Sequence, residues 1–207
     1  MTDDRARFLQ LVTGDEFEHS GGMVLAEAAW EEFALRLKLR VELGDHEPTQ
    51  IWTVRVDHSY HERLKSEWSE SVYLGREHPS LIPYTRPESD IYFTGNALSA
   101  RELLGIASLA CASELGEWHV PLDFLNEGLG LAAGRCGAHG LLGRFPNPVV
   151  SRILKELADS PITPVVLNER APSFWDGAAW VNYSETAEAF IFGRCFVVGE
   201  GVRVEAA

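Results

Sequence analysis

Four titratable side chains crowd one short segment: Asp57, His58, His61 and Glu62. Two imidazoles with carboxylates beside them are the donor types that hold a divalent cation while leaving a position open for water, as a metal-dependent hydrolase requires. The spacing H-x-x-H-E departs, however, from H-E-x-x-H and H-x-x-E-H, in which the ligands share one face of a helix. The competing reading is a set of polar residues where a strand runs into a helix. His46, His78, His119 and His139 supply no third ligand that spacing identifies.

Cys136 is a candidate nucleophile. In Arg135-Cys136-Gly137-Ala138-His139 a thiol stands beside a cation and an imidazole, the neighbours that activate a thiolate. Against it, catalytic Cys–His pairs usually meet from distant segments. Cys111 and Cys195 fall in apolar stretches and read as core residues. The three cysteines form no CxxC pair, which argues against a zinc ribbon or dithiol redox site. Gly128 to Ala133 matches G-x-G-x-x-A, yet no strand precedes it and no unbroken helix follows, so the match is read as accidental. There is no P-loop, nucleophile elbow or EF-hand, and no cofactor is expected.

The strongest signal is charge. Asp15, Glu16, Glu18, Glu27, Glu31 and Glu32 fall within 18 residues, with no lysine or arginine among them. Across all 207 residues, 31 acidic side chains oppose 18 basic ones, for a net charge of −13. Such a surface repels phosphate backbones and anionic lipid, so neither nucleic acid nor membrane is the expected partner. It attracts a basic protein instead, and speeds the encounter. The alternative is a solvated face that keeps the chain in solution. Phe174, Trp175, Trp180 and Tyr183 could anchor an interface or belong to a core.

The elements that position these residues follow from periodicity. Residues 3–13 read as an amphipathic helix, and 23–32 as a short helix by propensity. From Phe33 to Leu43 every second residue is apolar, and Trp52, Val54 and Val56 repeat the pattern, so 33–43 and 51–57 form a long antiparallel hairpin. Ser59 and Glu62 have capping-box spacing, which predicts a helix over 60–68. Val72–Leu74 and Asp90–Thr94 read as strands. Ser99 and Glu102 start a helix that runs to Leu115 and stops at Gly116. Leu122–Ala133 has helical character, and the glycines from Gly128 to Gly143 favour a loop. Pro148 opens a helix capped by Asn147 and ending near Asp159. Four strands follow at 163–167, 178–183, 187–198 and 202–205, the last two joined through Gly199-Glu200-Gly201.

The sequence therefore predicts an α+β fold in a single domain over 1–207, with a long N-terminal hairpin, central helices and C-terminal antiparallel strands. The proline-rich stretch 79–87 is the best candidate for an internal boundary. The start of the chain is acidic and lacks an apolar run, so a cytoplasmic location is expected. Three functions fit: an acidic, non-enzymatic protein of the immunity, inhibitor or chaperone kind that binds a basic protein; a metal-dependent hydrolase built on His58 and His61; or a structural subunit of a larger assembly, in which the hairpin offers a sheet edge.

Overall fold

A computed structural model describes residues 3–32, 34–44, 47–95, 98–126 and 139–207. Phe33, His46 and the stretch 127–138, with Cys136 and most of the G-x-G-x-x-A neighbourhood, lie outside the described residues. The fold is α+β with antiparallel sheets. Contacts divide the chain into two compact units, Met1–Leu81 with Glu185–Ala207, and Ile82–Ser184. The first division falls inside the proline-rich stretch.

In the first unit, helices α1 (Asp4–Val12) and α2 (Asp15–Ser20) precede strands β1 (Gly22–Glu31), β2 (Ala34–Glu42), β3 (Gln50–Val56), β4 (His58–Arg63), β5 (Trp68–Ser69) and β6 (Val72–Gly75). The chain returns to it as β12 (Glu188–Phe192), β13 (Cys195–Glu200) and β14 (Arg203–Ala206). The predicted hairpin is β2–β3, with Leu37 opposite Val54 and Leu39 opposite Trp52. Leu35, Leu37, Leu39, Val41, Trp52, Val54 and Val56 are all buried, as period-two alternation requires of a sheet with one wet face. Phe8, Phe17, Phe190 and Phe192 complete this core.

Two expected helices are strands. Residues 23–32 pair with β2 from Gly22–Glu42 to Glu31–Ala34, with one bulge between Leu25 and Glu27. Alanine and glutamate favour helix locally, but Met23 and Leu25 gain a buried face only by extending along β2. Residues 58–63 pair with β13, whose Phe196, Val197 and Val198 are buried and need a hydrogen-bonded neighbour. The Ser59 hydroxyl still donates to Glu62, at 3.2 Å, within a strand rather than a capping box. Tyr60 is the extra residue where the β4–β13 register shifts, next to the Ser59–Gly199 pair. A Cβ at Gly199 would run into the His58 carbonyl, so only glycine admits this approach.

The stretch 187–198 is two strands, not one. They turn through Gly193, at φ 58°, and Arg194, so that Phe192 faces Cys195. The segment Gly199-Glu200-Gly201 is consequently not a hairpin turn: β13 lies between β4 and β12, while β14 pairs with β3 in the other sheet. The five-stranded sheet runs β14-β3-β2-β1-β5 and the four-stranded one β4-β13-β12-β6. Both outer edges of the predicted hairpin are thus occupied, by β1 and β14, and it offers no free edge to an assembly.

The second unit comprises α3 (Ile82–Thr85), β7 (Glu88–Thr94), α4 (Ala100–Leu115), β8 (His139–Pro146), α5 (Asn147–Leu157), β9 (Thr163–Arg170), β10 (Ser173–Trp175) and β11 (Trp180–Asn182). Strand β7 is central, between β8 and β9. Helix α4 begins with the predicted Ser99–Glu102 capping box and ends at Gly116, φ 64°. Its Leu103, Ala107, Ala110 and Cys111 pack with Val149, Ile153 and Leu157 of α5. The cap of α5 is Pro146 rather than Asn147. Asn147 instead takes a hydrogen bond from Ser89 and donates to Glu169. Where helix was expected from Leu122, the described residues form a 3-10 turn, Pro121–Asp123. No helix among the described residues is long and apolar enough to cross a membrane.

Candidate functional site

Register places three arginines side by side on the outer face of the large sheet. Arg36 lies opposite Arg55, and Arg55 opposite Arg203. Like charges directly across a ladder repel, and two carboxylates interleave to offset this. Glu31 accepts from Arg36 Nε at 2.7 Å and from an Arg55 terminal nitrogen at 3.1 Å. Asp57 accepts from Arg55 Nε at 3.1 Å and from Arg203 at 2.6 Å. Glu27 reaches Arg36 at 3.6 Å. Glu27, Glu31 and Asp57 are therefore engaged within the sheet.

This changes the environment of the candidate metal cluster. Hydrogen bonding from Arg203, then from Arg55, holds the Asp57 carboxyl below its usual range. His58 is exposed, with Nδ1 3.4 Å from Glu200. His61 sets its ring edge-on to Phe196, with centroids 5.0 Å apart. Glu62 accepts from Ser59. Among the described residues no group of three His, Cys, Asp or Glu side chains is placed to hold a metal.

A depressed carboxylate pKa contributes stability that is complete above the unfolded-state value and is lost as pH falls through the folded one. Wild type should accordingly exceed Asp57→Asn in denaturant stability at neutral pH. The gap should close as pH falls below the ordinary aspartate range. Solvent screens this pair, so the gap should stay under about 1 kcal/mol. Urea titrations of both proteins across that range check it; a gap independent of pH would contradict the assignment.

The remaining acidic candidates divide. Asp15, Glu16 and Glu18 occupy α2, whose first turn favours negative charge. Glu32 is exposed in the turn after β1, at φ 56°. About 30 Å of strand, ten residues at roughly 3.3 Å each, separates α2 from Glu31 and Glu32. The α2 carboxylates thus lie apart from Glu31 and Glu32 at the far end of β1, with Glu27 midway along it, and the six do not form one patch. Asp15, Glu16 and Glu18 are exposed, and none forms an ion pair among the described residues.

Beside α2 lies a cleft of about 450 Å³, lined by Arg7, Gln10, Leu11, Gly14, Asp15, Glu16, Leu43, Gln50 and Trp52. Trp52 is one of the lining residues and donates from Nε1 to Gln50 at 3.3 Å. The Arg7 guanidinium lies over the indole, 5.7 Å from the ring centroid, and reaches Asp4 at 3.0 Å. Spacing could not have revealed this cleft, because its walls come from two helices and a strand more than thirty residues on.

Burial drives the Cys111 thiol up to about 12 and raises that of Cys195, whose Sγ also donates to the Lys65 carbonyl. Both are buried, unreactive thiols at neutral pH. The four aromatics of the second unit split in two. Phe174 and Tyr183 stack at 5.0 Å and are half-buried, while Trp175 and Trp180 pair across the β10–β11 hairpin and are 55% and 70% exposed.

Comparison with known protein families, curated proteins and solved structures finds no match for this chain.

Proposed function

We propose that the chain is a non-enzymatic acidic binding protein that recognises a basic protein partner, in the manner of an immunity, inhibitor or chaperone protein. The observation that carries this reading is α2: three exposed carboxylates in no ion pair among the described residues, whereas Glu27 and Glu31 are engaged by the arginine row. The unit bearing α2 holds 20 of the acidic residues against 11 basic ones. Carboxylates without local partners keep their field for an incoming cation, which raises association rates and makes them salt-dependent.

The test is charge reversal at two places. Captured from cells of its source, the partner should carry net positive charge, and its on-rate should fall about tenfold with Asp15→Lys, Glu16→Lys and Glu18→Lys combined. Glu27→Lys should change it far less, since Glu27 already faces Arg36. Equal effects at both places, or a captured set without a basic protein, would refute the reading.

A further inference from the structure

The cleft beside α2 holds charges of both signs that do not satisfy each other. Arg7 turns to Asp4 on its own helix, and no ion pair joins it to Asp15 or Glu16. Leu11, Leu43 and Trp52 line the same cleft, together with the carboxamides of Gln10 and Gln50. Left to themselves, a guanidinium and two carboxylates lining one cleft gain by closing on each other. Here they form no ion pair, and apolar side chains share the lining with them.

We propose that this cleft binds an α-carboxylate and a cationic side chain carried on one apolar stem. That is arginine or lysine, either free or as the last residue of a polypeptide. The carboxylate goes to Arg7, whose planar fork spends one arm on Asp4 and keeps donors for a second acceptor. The cationic end goes to Asp15 and Glu16, and the methylene stem lies on Leu11, Leu43 and the edge of Trp52. A volume of about 450 Å³ is that of a small-ligand site. The inference deepens the proposed function and rests on it for the basic character of the partner: the cleft would take the partner's carboxyl-terminal residue. It explains why Arg7 stands in the midst of an acidic surface, where it would repel an internal arginine but recruits a terminal one.

The experiment titrates the whole protein, followed by its amide NMR spectrum, with four probes. These are free L-arginine, an acetylated tripeptide ending in arginine with a free carboxylate, the same peptide amidated, and one ending in norleucine. The acid peptide should bind saturably and shift the Gln10 and Gly14 amides. Amidation should weaken it about tenfold, as loss of a charged hydrogen-bonded contact does, and the norleucine peptide should be weakened by a similar factor. Arg7→Gln should equalise acid and amide, while Glu16→Gln should weaken both; spectra of the variants verify their fold. Free arginine binding as tightly as the acid peptide would identify a free amino acid as the occupant. Binding of the peptide alone would identify a chain terminus. Absence of saturable binding, or equal affinity for acid and amide in the wild type, would overturn the proposal. If that happens while charge reversal on α2 still slows the basic partner, the proposed function stands without this site. If the peptide binds but no basic partner is captured, the site stands and the function falls.

Discussion

Glu188→Ala is expected to destabilise the first unit by about 3 kcal/mol, the low end of what breaking a buried ion pair costs. Glu188 belongs to β12, and its side chain is only 11% exposed. Arg5 of α1 grips it with two prongs, at 2.9 and 2.7 Å, and also donates to the Val202 carbonyl at 3.3 Å. Arg76 adds a looser contact at 3.7 Å. One carboxylate thus ties the first helix, the edge strand β6 region and the chain entering β14 to β12. Truncation leaves the Arg5 guanidinium facing a gap it cannot fill with water on all sides. Arg5 retains partial exposure, which keeps the figure from rising further. The check is urea unfolding of Glu188→Ala, Arg5→Met and the double variant. Coupling above about 1 kcal/mol in that cycle is expected; a value near zero would mean the pair behaves like an exposed bridge.

Much of the fold was legible in the sequence. The hairpin from Ala34 to Val56 was, because eight alternating apolar positions have one solution when a single face is wet. The Ser99–Glu102 cap was, because its chemistry is local. What failed shares a cause. Residues 22–31 and 58–63 carry helix-compatible residues, and what makes them strands is a neighbour far along the chain: β2 in one case, β13 in the other. Local propensity is worth tenths of a kcal/mol per residue and yields to such pairing. The same blindness affected the candidate sites. Glu31 and Asp57 look alike to Glu16 in sequence, but register sets them between arginines from three different strands, and no spacing rule gives Arg203 opposite Arg55. The α2 carboxylates escape because no basic residue among the described ones forms an ion pair with them, although Arg7 lines the same cleft.

In the second unit, Asp90→Ala is expected to cost about 2 to 3 kcal/mol, for a related reason with a backbone component. Asp90 lies on the central strand β7, and its side chain is 6% exposed. One oxygen accepts from Arg144 Nε at 2.8 Å, across the ladder in β8, and the other from the Asn168 side-chain amide at 2.9 Å, in β9. Asn168 sits at φ 57°, in the bulge where β9 gains residues on β7. Asparagine tolerates that conformation better than other side chains, but still at some cost. Its hydrogen bond to Asp90 is what offsets the strain and pins the bulge, so Asp90 holds both neighbours of its own strand. Two variants separate the contributions. Asn168→Gly relieves the backbone while deleting the donor, and should lose less than Asp90→Ala. Asn168→Ala keeps the strain and deletes the donor, and should lose more than the glycine variant by about 1 kcal/mol. If alanine and glycine at 168 prove equally stable, the left-handed residue carries no strain for the hydrogen bond to Asp90 to offset.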